Sequence, residues 1–216
     1  MDKINQGDEE LIKKEDWVPE EDISGDLEKI LVSQIMNKAQ ERILDIYKPK
    51  NNIAFISLCT ATRPYSTGRK WAYFMNEFDN VDFIVSSGSG IIVPIEYDTS
   101  YPFMTYDATH NQKEYDSLYN IFLMQKLVRF FTLKRYEYIL FNYRPTLPEL
   151  KVMIKVGNYL KARGHIKDYV IAPDDRTYKL AQLDGFADLG LSMYPDLHPI
   201  VIRDLHKKID IFRSIK

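Results

Sequence analysis

One cysteine in 216 residues excludes an internal disulfide and a zinc site built from several thiolates. Histidine is scarce as well. His110, His165, His198 and His206 are scattered, and no pair has ligand spacing beside the cysteine, so no metal and no other cofactor is expected. No apolar run approaches the ~20 residues of a membrane-spanning helix. The polar, acidic start has no apolar stretch of the secretory kind. A cytoplasmic protein with no membrane partner is the expectation. No serine stands in a nucleophile-elbow context, which argues against a serine hydrolase. Neither sign of charge dominates. With a formal net charge of -2, any nucleic-acid binding would need a local basic patch.

What the chain does have is enough apolar sequence for a folded core. Hydrophobic residues make up 45% and charged residues 28%, a balance that favours globular folding over disorder. Tyrosine is abundant, at 15, and its flat ring and hydroxyl suit core edges and binding surfaces alike. Residues 1–24 are charged and lack a sustained apolar period, which predicts a flexible acidic tail in which Trp17-Val18-Pro19 is a docking candidate. The remainder, 25–216, reads as one domain without repeats or linkers.

Apolar residues from Leu27 to Ile46 recur at three- and four-residue steps, which predicts a helix. Strands are expected at 52–58, 81–86, 136–141 and 169–171. Further helices are expected at 68–78, 112–134, 146–163, 175–184 and 198–214. Such alternation predicts an α/β three-layer sandwich: a mostly parallel sheet of about four strands, with helices on both faces.

Four features could carry chemistry. Cys59 follows the first strand, where open α/β sheets bind ligands. A lone cysteine there is as often a small buried apolar group. To act as a nucleophile it needs cations or a helix N-terminus nearby, and Arg63, Arg69 and Lys70 are candidates. Second, Pro64 fixes a turn that could aim Arg63 and Tyr65 into the crevice, with Arg63 suited to a phosphate or carboxylate. Third, Ser87, Gly88 and Gly90 lie in a small turn that could approach a base or phosphate, although it fails as a Walker or dinucleotide motif. Fourth, the loop from Tyr101 to His110 holds Tyr101 and Tyr106, which could stack on a nucleobase. It also holds Asp107, which could act as a base, hold an amino group or simply cap the next helix.

Together these features resemble the core domain of archaeal archaeosine synthase, a DUF5591-like domain related to the tRNA-guanine transglycosylases. That family's signature runs Pro-Cys, three residues, Lys-Pro-Tyr, two residues, Ser, two residues, His. This chain has Leu58-Cys59, then Arg63-Pro64-Tyr65, then Gly68 and Trp71. Ser87-Gly88-Ser89-Gly90-Ile91-Ile92-Val93-Pro94, Tyr101-Pro102 and Thr105-Tyr106-Asp107 match its later turn and loop. The resemblance covers residues 50–145. It implies a tRNA-modifying, amidine-forming enzyme that joins free lysine to the nitrile of 7-cyano-7-deazaguanine at position 15 of tRNA. A radical SAM or transglycosylase-type protein would be its partner. Cys59 would attack the nitrile and Asp107 would handle the amine. Arg63, Tyr65, Ser87, Gly88, Gly90, Tyr101 and Tyr106 would hold substrate, and Arg69, Lys70 and Arg144 would hold RNA. Gly68 and Trp71 replace the family serine and histidine, and Ser66 or Thr67 is the nearest substitute for the serine. Those departures keep open a second reading, a degenerate RNA- or partner-binding module. Base-processing chemistry of the glycosylase kind is a weaker third.

Overall fold

The apolar run Ile53–Leu58 forms β1, buried almost throughout, as expected of a central parallel strand. It belongs to a five-stranded sheet in a computed structural model that describes residues 10–25, 27–87, 90–106, 118–192 and 194–215. The other strands are β2 (Asp82–Ser86), β3 (Ile92–Pro94), β4 (Tyr138–Asn142) and β5 (Asp168–Ala172), in the order β3-β2-β1-β4-β5. β1 pairs in parallel with β2 and β4, and β4 with β5. The fold is therefore the expected α/β sandwich, with one strand more.

The extra strand is β3, which pairs antiparallel to β2. Gly90 adopts φ +70° in the turn between them, and Ser87 N–H donates to Ile91 O at 2.9 Å. The sequence marked the turn. What it did not mark was the strand pairing that follows, because three residues carry no period. Gln40 closes the outer edge of β3. Its Nε2 donates to Ile92 O at 2.7 Å, and Ile92 N–H donates to its Oε1 at 3.0 Å.

Helices cover both faces. α1 (Glu20–Ile23) is a single turn, followed by α2 (Leu27–Val32) and α3 (Gln34–Ile46). The predicted helix over 27–46 breaks because Ser33 stops α2 and caps α3, its Oγ accepting from Met36 N–H at 3.3 Å. α4 (Arg69–Glu77) joins β1 to β2, α5 (Leu118–Leu133) leads to β4, and α6 (Leu150–Ala162) joins β4 to β5. α7 (Asp175–Asp184) is capped by Asp174, and Pro199 opens α8 (Pro199–Ser214). α4 and α8 lie on one face, linked by His206 to Glu77 at 2.6 Å, and Phe212 of α8 stacks on Tyr138 of β4. α3, α5 and α6 lie on the other, where Gly157 brings α6 so close to β5 that a Cβ there would sit 2.5 Å from the Tyr169 ring. No described helix is long and apolar enough to cross a membrane.

The amino-terminal segment is described from Glu10 onward. Leu11, Ile12 and Ile23 are buried in the core. Trp17 stacks on Tyr101 with ring centroids 4.5 Å apart, and Val18 bonds the Tyr101 hydroxyl through both its N–H and its carbonyl.

At the amino end of the sheet lies a closed polar network. Buried Asp82 accepts from the Tyr47 and Tyr136 hydroxyls, each at 3.1 Å. It also accepts from Lys50 N–H at 2.8 Å, Asn51 N–H at 3.3 Å and Asn51 Nδ2 at 2.7 Å.

Candidate functional site

From β1 the chain turns to β2 on one side, and it later returns to β4 on the other. The carboxyl ends of β1 and β4 thus form a topological switch point, where such sheets open a crevice. Register places Ser57 level with Val85 and Asn142, and Leu58 level with Ser86. Cys59 comes next. It is half-buried, and its N–H donates to Ser86 O at 2.9 Å.

Lys70 reaches the end of β1 from α4. Its ammonium donates to Leu58 O at 2.6 Å and to Ser57 Oγ at 3.2 Å, with Asp196 Oδ2 at 3.9 Å. Asn142 Nδ2 donates to the same Ser57 Oγ at 3.2 Å. Lys70 was expected on an RNA-facing surface, but it is 4% exposed. It shares the buried side of α4 with Trp71 and Phe74. Burial lowers its pKa, and the charges of Asp196 and Cys59 oppose that shift.

Arg63 lies four residues after the cysteine, at a cis Arg63–Pro64 peptide. Its guanidinium sits over the Tyr65 ring at 4.3 Å and the Tyr106 ring at 5.0 Å, and it donates to Thr60 O and Thr62 O. The two phenols share a hydrogen bond of 2.6 Å. Both are fully buried, so neither presents a free face to a base, contrary to the sequence expectation. Desolvation drives both hydroxyls above the ordinary tyrosine range, and the nearby Cys59 adds to the effect. Asp98 pins this turn, accepting from Ser66 N–H at 2.5 Å and Ser66 Oγ at 3.1 Å. Thr67 Oγ1 donates to Pro64 O at 2.8 Å. Both candidate substitutes for the family serine are therefore committed to holding the turn.

A third group enters from β4 and the start of α6. Tyr143 is fully buried, its hydroxyl beside Ser86 and within the electrostatic reach of Glu149, Cys59 and Asp196. Burial raises the Glu149 pKa, partly offset by its own backbone N–H and by Arg144. Arg144 is half-buried and acts on Glu149 and Lys70, which places it inside the cluster rather than on an outer basic patch. Among the described residues, Thr60 Oγ1, Arg63 Nε, Asn142 Oδ1, Arg144 Nε, Glu149 Oε2 and Asp196 Oδ1 are buried without a hydrogen-bond partner. Buried orphans are rare in folded proteins. Although the Tyr138 hydroxyl at the other end of β4 is also one, most gather at the carboxyl end of the sheet, an arrangement suited to a polar ligand.

The other expected residues divide. Ser87 and Gly90 build the β2–β3 turn, and Ser87 also bonds Tyr106. Tyr101 is engaged by Trp17 and Val18, so its ring and hydroxyl serve the amino-terminal segment. Arg69 is exposed, reaching Gly190 O at 3.4 Å and the Tyr194 ring at 5.8 Å. Gly88 and Asp107 lie outside the described residues. No metal-binding cluster of His, Cys, Asp or Glu occurs among the described residues.

The profile of the Domain of unknown function (DUF5591) matches residues 36–158, more than half of the chain. The chain belongs to the DUF5591 family. It is also similar to the crystal structure of AF0587, a protein of unknown function, with a TM-score of 0.52 and 18% identity over 79% of this chain and 49% of that one. At that identity the likeness concerns the fold, and the chain spans about half the length of that protein. No curated protein matches the chain significantly. The DUF5591 span carries Cys59, Arg63, Lys70, Tyr106, Asn142, Tyr143 and Glu149, whereas Asp196 approaches from beyond it.

Sequence reasoning missed Asp98, Asn142, Tyr143, Glu149 and Asp196 as site residues, and misassigned Lys70. Only Lys70 had a local signal: it stands four residues before Phe74, on the buried side of α4. The others are brought together by strand order alone.

Proposed function

We propose that this DUF5591 protein is an archaeosine-synthase-like tRNA-modification enzyme. It joins the amine of free lysine to the nitrile of 7-cyano-7-deazaguanine in tRNA, and a radical SAM-type partner acts on the product. One observation carries the reading: the only cysteine of a DUF5591 chain stands half-buried at the switch point, among a buried ammonium and three buried phenols. In the proposed reaction Cys59 sulfur adds to the nitrile carbon. A C–S bond forms and the thiol proton passes to the nitrile nitrogen, giving a thioimidate. The lysine nitrogen then attacks the same carbon. A C–N bond forms, the C–S bond breaks and a proton returns to sulfur, leaving an amidine. The orphaned oxygens of Asn142, Glu149 and Asp196 are acceptors suited to the incoming amine.

A test is to incubate the protein with lysine and tRNA carrying the cyano-deazaguanine base, then weigh the nucleosides by mass spectrometry. A gain of one lysine, absent with Cys59→Ser, is expected. A specific observation favours a second reading, a non-catalytic module. Trp71, at the family histidine position, is fully buried against Phe74 and Phe83. A Cβ at Gly68, the family serine position, would lie 3.1 Å from Thr60 Oγ1 and 3.2 Å from Thr62 Cβ. Both positions now serve packing. Retained tRNA binding with no adduct, in the same incubation, would select this reading.

A further inference from the structure

We propose that Lys70 is a positioning residue for Cys59: its buried ammonium supplies the positive charge that the sulfur faces when it acts as a nucleophile, and Asp196 tempers that charge. The inference rests on reading Cys59 as the nucleophile. A buried ammonium is costly unless it is closely paired. Here the nearest carboxylate oxygen is 3.9 Å away, and the short bond, 2.6 Å, goes to an uncharged carbonyl. Leu58 O and Ser57 Oγ need only a neutral donor, so capping the end of β1 does not explain why a charge is placed there. That carbonyl belongs to the peptide linking Leu58 to Cys59, which fixes the ammonium directly under the cysteine backbone.

Lys70 is the cation held on the carbonyl that precedes Cys59. Asp196, Arg144 and Cys59 face Lys70, and its pKa responds to all three. Tyr65, Tyr106 and Tyr143 also face Cys59, and Arg63 is spread over the first two of those rings. The three phenols are held neutral by burial, so they offer hydrogen bonds rather than charge.

Because the chain has one cysteine, alkylation by iodoacetamide reports Cys59 alone. The full chain is alkylated between pH 6 and 8 and followed by intact-mass measurement, with thermal melts recorded for each variant. Lys70→Gln keeps a donor but loses the charge. It is expected to react about fivefold to tenfold more slowly at pH 7. Lys70→Arg is expected to stay within about twofold of the unsubstituted chain, because the charge is kept. A folded Lys70→Gln protein that reacts within about twofold of the unsubstituted chain overturns the proposal. So does Lys70→Arg reacting as slowly as Lys70→Gln. Should neither variant at position 70 fold, Asp196→Asn is measured across the same pH range. Faster alkylation supports the proposal, and an unchanged or slower rate overturns it. The assay needs no tRNA. Slowed alkylation with no lysine adduct would remove the tRNA reading and leave the role of Lys70 standing; an adduct with unslowed alkylation would do the reverse.

Discussion

The two ends of the same sheet treat buried polar groups in opposite ways. At the amino end, Asp82 accepts from two phenols, two backbone amides and a side-chain amide, and the phenols bond each other at 2.5 Å. At the carboxyl end, acceptor oxygens of Asn142, Glu149 and Asp196 and donor nitrogens of Arg63 and Arg144 have no partner among the described residues. A satisfied network rigidifies a fold, whereas an unsatisfied one costs stability and persists where something else benefits. One chain thus carries a largely saturated polar cluster and an unsaturated one, and the second is the candidate site.

The largest expected effect comes from breaking the saturated end. Asp82→Ala removes the common acceptor of five bonds and leaves buried phenols and amides unpaired. It should cost roughly 3 kcal/mol or more of folding stability, measured by chemical denaturation. Little of that loss should be recovered by changing pH, since the deleted acceptor cannot be restored by titration.

A smaller effect of opposite sign is expected at the other end. Burial raises the Glu149 pKa above the ordinary glutamate range. Above that range the unfolded chain gives up its proton first, so the folded state binds more protons and stability falls as pH rises. Glu149→Gln should therefore raise the melting temperature at neutral pH and flatten its decline from acid to neutral pH. A lower melting temperature at neutral pH would show that Glu149 belongs with Asp82 as a structural group.

The smallest effect on stability is expected for Cys59→Ala. The side chain is half-buried and holds its neighbours through its backbone N–H, which alanine keeps. The change should stay within about 1 kcal/mol. Loss of the lysine adduct without loss of stability would set the two ends apart most cleanly.

Much of this fold was legible because periodicity is local. Runs such as Ile53-Ala54-Phe55-Ile56 and the stripe along Pro199–Ser214 announce a buried strand and an amphipathic helix within themselves. Cys59 and Arg63 were legible as candidate site residues because they stand in one strand-to-helix connection. Glu149 and Asp196 were not, because they join Cys59 only through the strand order, which no short window contains. Tyr65 and Tyr106 looked like stacking platforms, but each turned out to be the other's hydrogen-bond partner. Composition identifies an aromatic without telling which of its surfaces is already taken.

The carboxamide of Gln40 occupies both outward backbone groups of Ile92, and Pro94, two residues on, has no N–H to offer. That margin of the sheet is therefore sealed against a further strand, from another copy or from a peptide. Any assembly this protein enters on that flank must be made through side chains on its helices, so its specificity there is written in surface chemistry and not in backbone pairing.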